Sequence, residues 1–380
     1  MCPGNPAASI LISCSLSAHG GNETHVTSLC VLFRAAGHAV AVATRSRDFA
    51  RHHGRRLSEI GVKVITTPFG DSAPGVLRNL WAAAIWPAAS PRRLRTHLIA
   101  VGPGGFHRLM IGRIAPGGTS LYWEAGDGLG ARTPAQLRML ASMDGLAATS
   151  GPVAARMSAA LGRRVEVLPP LTLMPAAAKV AFRSPPGRRV QVGFVGRVSR
   201  QKGVDLLLRA WSEVAGDGAD LHLHGDGPEA PEMAALAKTL GVAGAARFHG
   251  SFDRDTELAD VMASLDLLVL PSLSEGLPHV LVEALAHGLP FVATDVGGIS
   301  DLGHGNPGAI LVEPTAESVA GGLREAIRRI QGREVGREKI LSFYRERYAP
   351  EVVGARWLAA LGLGHDVSAP ALLAEASVAR

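Results

Sequence analysis

Residues 190–208 read VQVGFVGRVSRQKGVDLLL, and this stretch indicates the fold of the protein. Val190–Val195 is an apolar run that predicts a buried strand, and Gly196–Gly203 is a loop bounded by glycines. From Val204 to Val214 the apolar residues have the spacing of a helix. A strand, a glycine loop and a helix in this order open a parallel, doubly wound α/β sheet.

The same alternation continues toward the C-terminus. It predicts strands and helices in turn: strand Leu221–His224, helix Glu232–Leu240, strand Ala246–His249, helix Thr256–Ser264, strand Asp266–Leu270, helix Val280–His287, strands Pro290–Ala293 and Ala309–Val312, and helices Ala316–Ile330 and Arg333–Tyr348. The first 45 residues repeat the unit, with strand Ser9–Ser13, a loop ending in Gly20-Gly21, helix Val26–Ala36 and strand Ala39–Ala43. Two similar α/β domains are therefore predicted.

A Pro-rich junction separates the two predicted domains. The first domain is placed at residues 1–170, the linker at 171–189 and the second domain at 190–348. Residues 349–380 are predicted to be a C-terminal helix followed by a loose Ala/Ser-rich tail. The sequence leaves open whether this helix crosses back to the first domain.

Composition limits the class of protein. Of the 380 residues, 47% are hydrophobic and 19% charged, which excludes wholesale disorder. The three cysteines contain no CxxC pair, so neither a disulfide scaffold nor a zinc ribbon is supported. No apolar run reaches the roughly 18 residues of a spanning helix, and Ala7–Leu16 is interpreted as a buried strand rather than a signal peptide. We expect a cytoplasmic protein.

Charge is distributed unevenly. The first 175 residues contain 18 basic and 8 acidic side chains, and the remainder contains 21 and 25. A basic half is compatible with an anionic substrate, a membrane surface or nucleic acid, and equally with an ordinary solvated surface.

Residues 271–302 read PSLSEGLPHVLVEALAHGLPFVATDVGGISDL, and this stretch contains the candidate binding residues. Glu275 and Glu283 lie on either side of Gly276-Leu277-Pro278, between a predicted strand and helix. The start of a helix suits phosphate, because its backbone N–H groups and dipole attract anions. Glu283 inside the helix can accept hydrogen bonds from paired sugar hydroxyls, and Glu275 can contact a second sugar. The alternative is that both are ordinary surface glutamates.

Two cations in the loop after Val195 point to a diphosphate. Arg197 can bind two oxygens with its guanidinium, while Lys202 acts as a point charge. The loop lacks the GxxxxGK[ST] pattern of a P-loop and the GxGxxG pattern of a dinucleotide site.

Together these stretches resemble the retaining glycosyltransferases of family 4, the glycosyl transferases group 1. The matching motifs keep the order and spacing of that family: Phe194-Val195-Gly196-Arg197, Lys202-Gly203, Gly225-Asp226-Gly227-Pro228, Phe248-His249-Gly250, Pro271-Ser272, Ser274-Glu275-Gly276-Leu277-Pro278, Glu283-Ala284 and Gly297-Gly298. The resemblance covers residues 190–330. Over residues 1–170 it rests only on the first strand–helix unit with Gly20-Gly21.

The resemblance implies a GT-B fold, in which two Rossmann-like doubly wound domains face a cleft, and a hexosyltransferase-type activity that retains the anomeric configuration. The second domain would hold a nucleotide-diphosphate-sugar donor and the first domain an acceptor. Expected catalytic residues are Glu275, Arg197 and Lys202. The expected donor-binding residues are Glu283 for ribose, Gly276, Leu277 and Pro278 for the transferred sugar, the turn Phe248–Asp253 for the base, and Gly20 and Gly21 for the phosphates.

The first domain departs from the family pattern. Its end reads Leu168-Pro169-Pro170-Leu171 where many members have an Asn-Gly-Val-Asp-like turn, so nothing is carried over there. No histidine clearly matches the one that many members place near the sugar. His107, His97 and Asp127 are the candidates on the acceptor side, and each is about as well explained by a structural role.

The triplet Asp253-Arg254-Asp255 matches the DxD pattern by which other glycosyltransferases hold a metal–diphosphate. Because it precedes a predicted helix, Asp255 is interpreted as the N-cap. We therefore expect no metal and no cofactor besides the donor.

The acceptor is only loosely indicated. A basic cluster between Arg45 and Arg56 and the Trp-bearing apolar segment Leu77–Trp86 suit a lipid-linked or cell-surface glycan, with peripheral contact at the inner membrane face. Alternatively, Leu77–Trp86 is a packed helix that lines an acceptor cleft. The Arg-, Ala- and Gly-rich composition points instead to a small secondary metabolite as the acceptor. No nucleic acid partner is expected. A nucleotide-sugar epimerase of the same fold and a non-catalytic nucleotide-sugar binder remain as alternative functions.

Overall fold

The computed structural model describes residues 8–14, 21–44, 46–66, 95–102, 118–126, 132–173 and 188–364. The chain divides into two compact units. The first contains Met1–Leu173 and Pro350–Arg380, and the second contains Met174–Ala349. The first unit therefore takes in the C-terminal segment.

The described strands of the first unit form one parallel sheet in the order β3-β2-β1-β4-β5-β6-β7. These strands are β1 Ser9–Cys14, β2 Ala39–Thr44, β3 Lys63–Thr66, β4 Thr96–Val101, β5 Ser120–Glu124, β6 Gly145–Ala148 and β7 Glu166–Val167. The described helices are α1 Gly21–Ala35, α2 Arg47–Glu59, α3 Pro134–Ala141, α4 Gly151–Leu161 and, from the C-terminal segment, α12 Pro350–Ala360.

The C-terminal helix α12 completes the core of the first unit. Trp357 is fully buried there and donates a hydrogen bond to the carbonyl of Pro169 at 3.0 Å. Its ring lies 4.9 Å from that of His25, whose Nδ1 accepts from the backbone N–H of Leu171 at 2.9 Å. Burial lowers the pKa of His25 to about 3, so the ring is neutral and serves as an acceptor.

The second unit contains a parallel sheet in the order β10-β9-β8-β11-β12-β13. These strands are β8 Val190–Val195, β9 Ala219–His224, β10 Ala246–Gly250, β11 Leu267–Leu270, β12 Phe291–Thr294 and β13 Ala309–Val312. The helices between and after them are α5 Val204–Val214, α6 Ala230–Thr239, α7 Arg254–Ser264, α8 His279–Ala286, α9 Ile299–Gly303, α10 Ala316–Gln331 and α11 Arg337–Arg347.

The prediction of two doubly wound α/β domains is confirmed. In the second unit β8 pairs with β9 on one side and with β11 on the other, so the order of strands reverses direction beside β8. In open parallel sheets, ligands bind outside the carboxyl ends of the strands at this switch point. The loops that follow β8 and β11 are therefore where a ligand is expected.

Five of the seven predicted helix starts differ from the structure by one to five residues, and two of these differences have an identifiable cause or consequence. The last helix of the second unit begins at Arg337 rather than Arg333, because Arg333 has φ 57°, outside the helical region. Helix α7 begins at Arg254, and its N-cap is Asp253, whose side chain accepts from the N–H of Asp255 at 2.9 Å. Asp255 therefore lies in the first turn, and its interpretation as the N-cap was wrong.

Candidate functional site

The loops after β8 and β11 are bound to each other. The N–H of Leu273 donates to the carbonyl of Gln201 at 2.7 Å, and the Gln201 side chain donates to the carbonyl of Ser274 at 2.7 Å. Gly203 has φ +62°, and a Cβ there would lie 2.0 Å from the carbonyl oxygen of Pro271. Only glycine allows this approach, so the sequence fixes the two loops against one another.

Lys202 and Glu275 meet where these two loops touch. The Lys202 Nζ lies 2.5 Å from the Glu275 Oε1, and the Ser272 hydroxyl donates to the same oxygen at 2.6 Å. The Glu275 side chain is 8% exposed, whereas that of Lys202 is 22% exposed. The carboxylate is thus held in place by two donors, while its cation is still accessible from solvent.

Glu283 on α8 has a different partner, Arg254 at the start of α7. The Arg254 guanidinium forms an ion pair with the Glu283 Oε1. The second carboxylate oxygen, Oε2, is buried and has no hydrogen-bond partner among the described residues. Buried carboxylate oxygens without a partner are costly. This atom therefore marks a place where a ligand donor would be favourable.

The other predicted donor residues of the second unit lie close in sequence to these pairs. Gly276, Leu277 and Pro278 are buried between Glu275 and α8. Pro278 is the N-cap of α8 and forms no side-chain cap hydrogen bond. Arg197 follows β8 directly and is exposed, so its guanidinium can reach a bound anion.

Three predicted residues lie outside the described part of the chain: Gly20, His107 and Asp127. Gly21 is the first residue of α1 in the first unit and is half-buried. Their expected contacts with phosphate or sugar stay predictions.

Arg254 was missed by the sequence analysis. It is the middle residue of the Asp-Arg-Asp triplet, in which only the two carboxylates were considered as ligands. A cation in the first turn of a helix is unfavourable because it opposes the helix dipole. The position of Arg254 at the start of a predicted helix therefore indicated that its side chain has a carboxylate partner.

Together these side chains can bind both hydroxyl and phosphate groups. Two buried carboxylates can accept hydrogen bonds from sugar hydroxyls, and Lys202, Arg254 and the exposed Arg197 can bind phosphate oxygens. All of these groups except Arg254 and Glu283 come from the loops at the switch point of the sheet.

Comparison with known proteins agrees with this chemistry. Residues 189–330 match the family described as glycosyl transferases group 1. This segment includes both carboxylate–cation pairs and Arg197. The predicted resemblance to group 1 glycosyltransferases is confirmed for this segment, which is less than half of the chain.

Known relatives and solved structures extend the comparison. The chain is similar to the 2-deoxystreptamine glucosyltransferase of Streptomyces kanamyceticus, with 38% identity over 112 residues, or 29% of either chain. It spans about a third of the length of the curated relatives that it matches. A Rickettsia africae glycosyltransferase superposes with a TM-score of 0.76 at 16% identity, over 93% of this chain and 98% of the other. Anabaena HepE, solved with UDP and glucose, superposes with a TM-score of 0.72 at 19% identity, over 93% of this chain and 99% of the other.

At these low identities the superpositions show the fold. It consists of two Rossmann-like α/β domains with parallel sheets, as in GT-B glycosyltransferases. Within the described part of the chain, no helix has the length and apolar character needed to cross a membrane.

Proposed function

We propose that this protein is a retaining glycosyltransferase of family 4 that moves a sugar from a nucleotide-diphosphate-sugar to an acceptor hydroxyl. The observation that carries the proposal is the Oε2 of Glu283, a nearly fully buried carboxylate oxygen beside the switch point of a Rossmann-like sheet that has no hydrogen-bond partner among the described residues. The match of residues 189–330 to glycosyl transferases group 1 supports it.

The ribose of the donor is assigned to Glu283. A ribose offers two neighbouring hydroxyl donors, and a carboxylate accepts two hydrogen bonds side by side. Arg254 binds Oε1 in the structure, so a first ribose hydroxyl would bind Oε2. The Arg254 side chain is 34% exposed, so it can shift. It could then share the Glu283 Oε1 with the second ribose hydroxyl or contact a phosphate.

The diphosphate and the transferred sugar are assigned to the loops after β8 and β11. Lys202 has three N–H donors, so it can hold Glu275 and a phosphate oxygen together. Arg197 adds a second cation. As the glycosidic bond breaks, these fixed charges stabilise the leaving diphosphate without reorganising. Glu275 faces the sugar, where positive charge develops.

Retention requires attack on the face of the sugar that the diphosphate leaves. We propose that the leaving phosphate accepts the proton of the acceptor hydroxyl, through an oxocarbenium-like state and without a covalent nucleophile. An inverting enzyme would instead need a general base, and Asp127 and His107 would then be the candidates. Because the site supplies its own cations, no metal or other cofactor is required for transfer.

The acceptor is proposed to bind the first unit. The similarity to a 2-deoxystreptamine glucosyltransferase favours a small hydroxylated metabolite. The basic residues of α2 favour a lipid-linked or cell-surface glycan at the inner membrane face instead. Both are compatible with a cytoplasmic location.

One experiment tests the activity and its rivals. The purified protein is incubated with UDP-, GDP-, ADP- and dTDP-sugars, beginning with UDP-glucose, and products are resolved by mass spectrometry and NMR. Release of nucleoside diphosphate with an α-linked sugar product supports a retaining transferase. An epimerised donor identifies the epimerase, and binding without turnover identifies the non-catalytic binder.

Matched variants connect that activity to the site. Lys202→Ala should lose donor turnover, while Lys238→Ala, an exposed lysine on α6, should keep it. Equal activity in both variants would contradict the assignment of the diphosphate to the loop after β8.

A further inference from the structure

Three histidines form a compact cluster on the β9–β10 edge of the second sheet. His222 and His224 lie two residues apart on β9 and so point to the same face, and His249 lies on the neighbouring strand β10. One ring nitrogen from each of the three lies within 4.8 Å of the other two. The Nδ1 of His222 lies 3.0 Å from the Nε2 of His249.

A glutamine side chain orients the ring of His222. The Nε2 of His222 lies 2.8 Å from the Oε1 of Gln191, an oxygen that can only accept a hydrogen bond. Nε2 therefore has the proton, and Nδ1 presents a lone pair toward His249. A hydrogen bond from the outer ring nitrogen to a fixed acceptor is the usual way in which proteins orient a metal-binding histidine.

The third ring supplies an independent sign of a missing partner. Only 9% of His224 is exposed to solvent, and its Nε2 has no hydrogen-bond partner among the described residues. Its ring stacks on that of His249 at 4.2 Å with an angle of 1°.

We propose that His222, His224 and His249 bind one divalent transition-metal ion of the Zn²⁺ type, with a fourth position open to water. Imidazole is a preferred ligand of Zn²⁺, Cu²⁺ and Ni²⁺. Three nitrogens at 2.0–2.1 Å from a tetrahedral ion lie about 3.4 Å apart. The separation of 3.0 Å between His222 and His249 is slightly shorter than this value, and all three nitrogens lie within 4.8 Å of one another. Because the rings are stacked nearly parallel, they would have to turn for their in-plane lone pairs to meet at one ion.

This site differs from the metal–diphosphate chemistry considered for Asp253 and Asp255, and it does not rest on the proposed transferase activity. The ion would join β10, the outermost described strand of its sheet, to β9. These strands lead into the turns after His224 and after Gly250. Metal binding should therefore stabilise that edge of the second unit.

The test is a titration of tag-free, metal-stripped full-length protein with Co²⁺, followed by its visible absorption, and then with Zn²⁺ in competition. The wild type should bind one equivalent with the intense bands of a tetrahedral Co²⁺ site. His249 is exposed, so His249→Ala should fold normally and lose that equivalent, with affinity at least about 100-fold weaker. His304→Ala, an exposed histidine of the same unit, should bind like the wild type.

Gln191→Ala provides a second measurement that leaves all three ligands in place. Losing the group that orients a ligand histidine typically weakens metal binding about 10- to 100-fold. Bands of equal intensity in the wild type and His249→Ala would overturn the proposal, as would an unchanged affinity in Gln191→Ala. In either case the stacked rings would be a structural feature only.

Discussion

Replacing Arg254 by alanine should destabilise the second unit. Glu283 is only 1% exposed, and Arg254 is the cation paired with it. Without Arg254 the carboxylate would be a buried, uncompensated charge, which costs about 3–5 kcal/mol when a buried ion pair loses one partner.

We therefore expect Arg254→Ala to lower the free energy of unfolding by about 3–5 kcal/mol at pH 7. Arg324→Ala, which breaks an ion pair with Glu213 in which both side chains are 47% exposed, should cost no more than about 1 kcal/mol. Combining Arg254→Ala with Glu283→Gln removes the charge altogether, and it should restore most of the stability at pH 7.

Hydrogen exchange read by mass spectrometry on peptides that span β11 gives the opening free energy of the second unit separately from the first. It would be measured for the four proteins at pH 7. A deficit for Arg254→Ala no larger than that of Arg324→Ala would refute the reasoning. It would mean that water reaches the Glu283 carboxylate.

The remaining predictions concern turnover. Lys202→Ala and Arg197→Ala should each lower kcat about 100-fold, near 3 kcal/mol of lost charge stabilisation, and normal kcat in both would exclude the diphosphate assignment. Glu275→Gln should mainly lower kcat and Glu283→Ala mainly raise the donor KM, so the reverse pattern in donor-saturation kinetics would exchange their roles. Gly297→Ala should reduce both folding yield and activity, because its φ is +58° and a Cβ would lie 1.7 Å from the Glu275 carbonyl oxygen. The control is Gly305→Ala, where φ is +77° but no atom lies within 4 Å of the added Cβ, so this variant measures the cost of the backbone conformation alone. Transfer should survive EDTA, and activity lost there and restored by manganese would return Asp253 and Asp255 to consideration as ligands.

Local signals in the sequence predict the second unit well. The bounds of β8, α5 and β13 agree residue for residue with the predicted Val190–Val195, Val204–Val214 and Ala309–Val312. Apolar periodicity and glycine positions decide such elements, and both are written locally in the chain. The switch point could also be anticipated, since the alternation of strands and helices dictates a parallel sheet.

The pairing of charges could not be anticipated from the sequence. Lys202 and Glu275 are 73 residues apart, and Arg254 and Glu283 are 29 apart. Which carboxylate meets which cation depends on how neighbouring loops close over the sheet. The three histidines have the same origin, because His249 reaches His222 only through the pairing of β10 with β9.

The Lys202–Glu275 pair changes how a single substitution at Lys202 should be interpreted. Lys202→Ala removes a cation from the diphosphate and also leaves Glu275, 8% exposed, without its counter-charge. Part of any loss of kcat would then come from a displaced Glu275 rather than from the leaving group. If the two residues act on different parts of the donor, the loss for Lys202→Ala combined with Glu275→Gln should approach the sum of the single losses. If Lys202 serves only to hold Glu275 in place, the double variant should be no worse than Glu275→Gln alone.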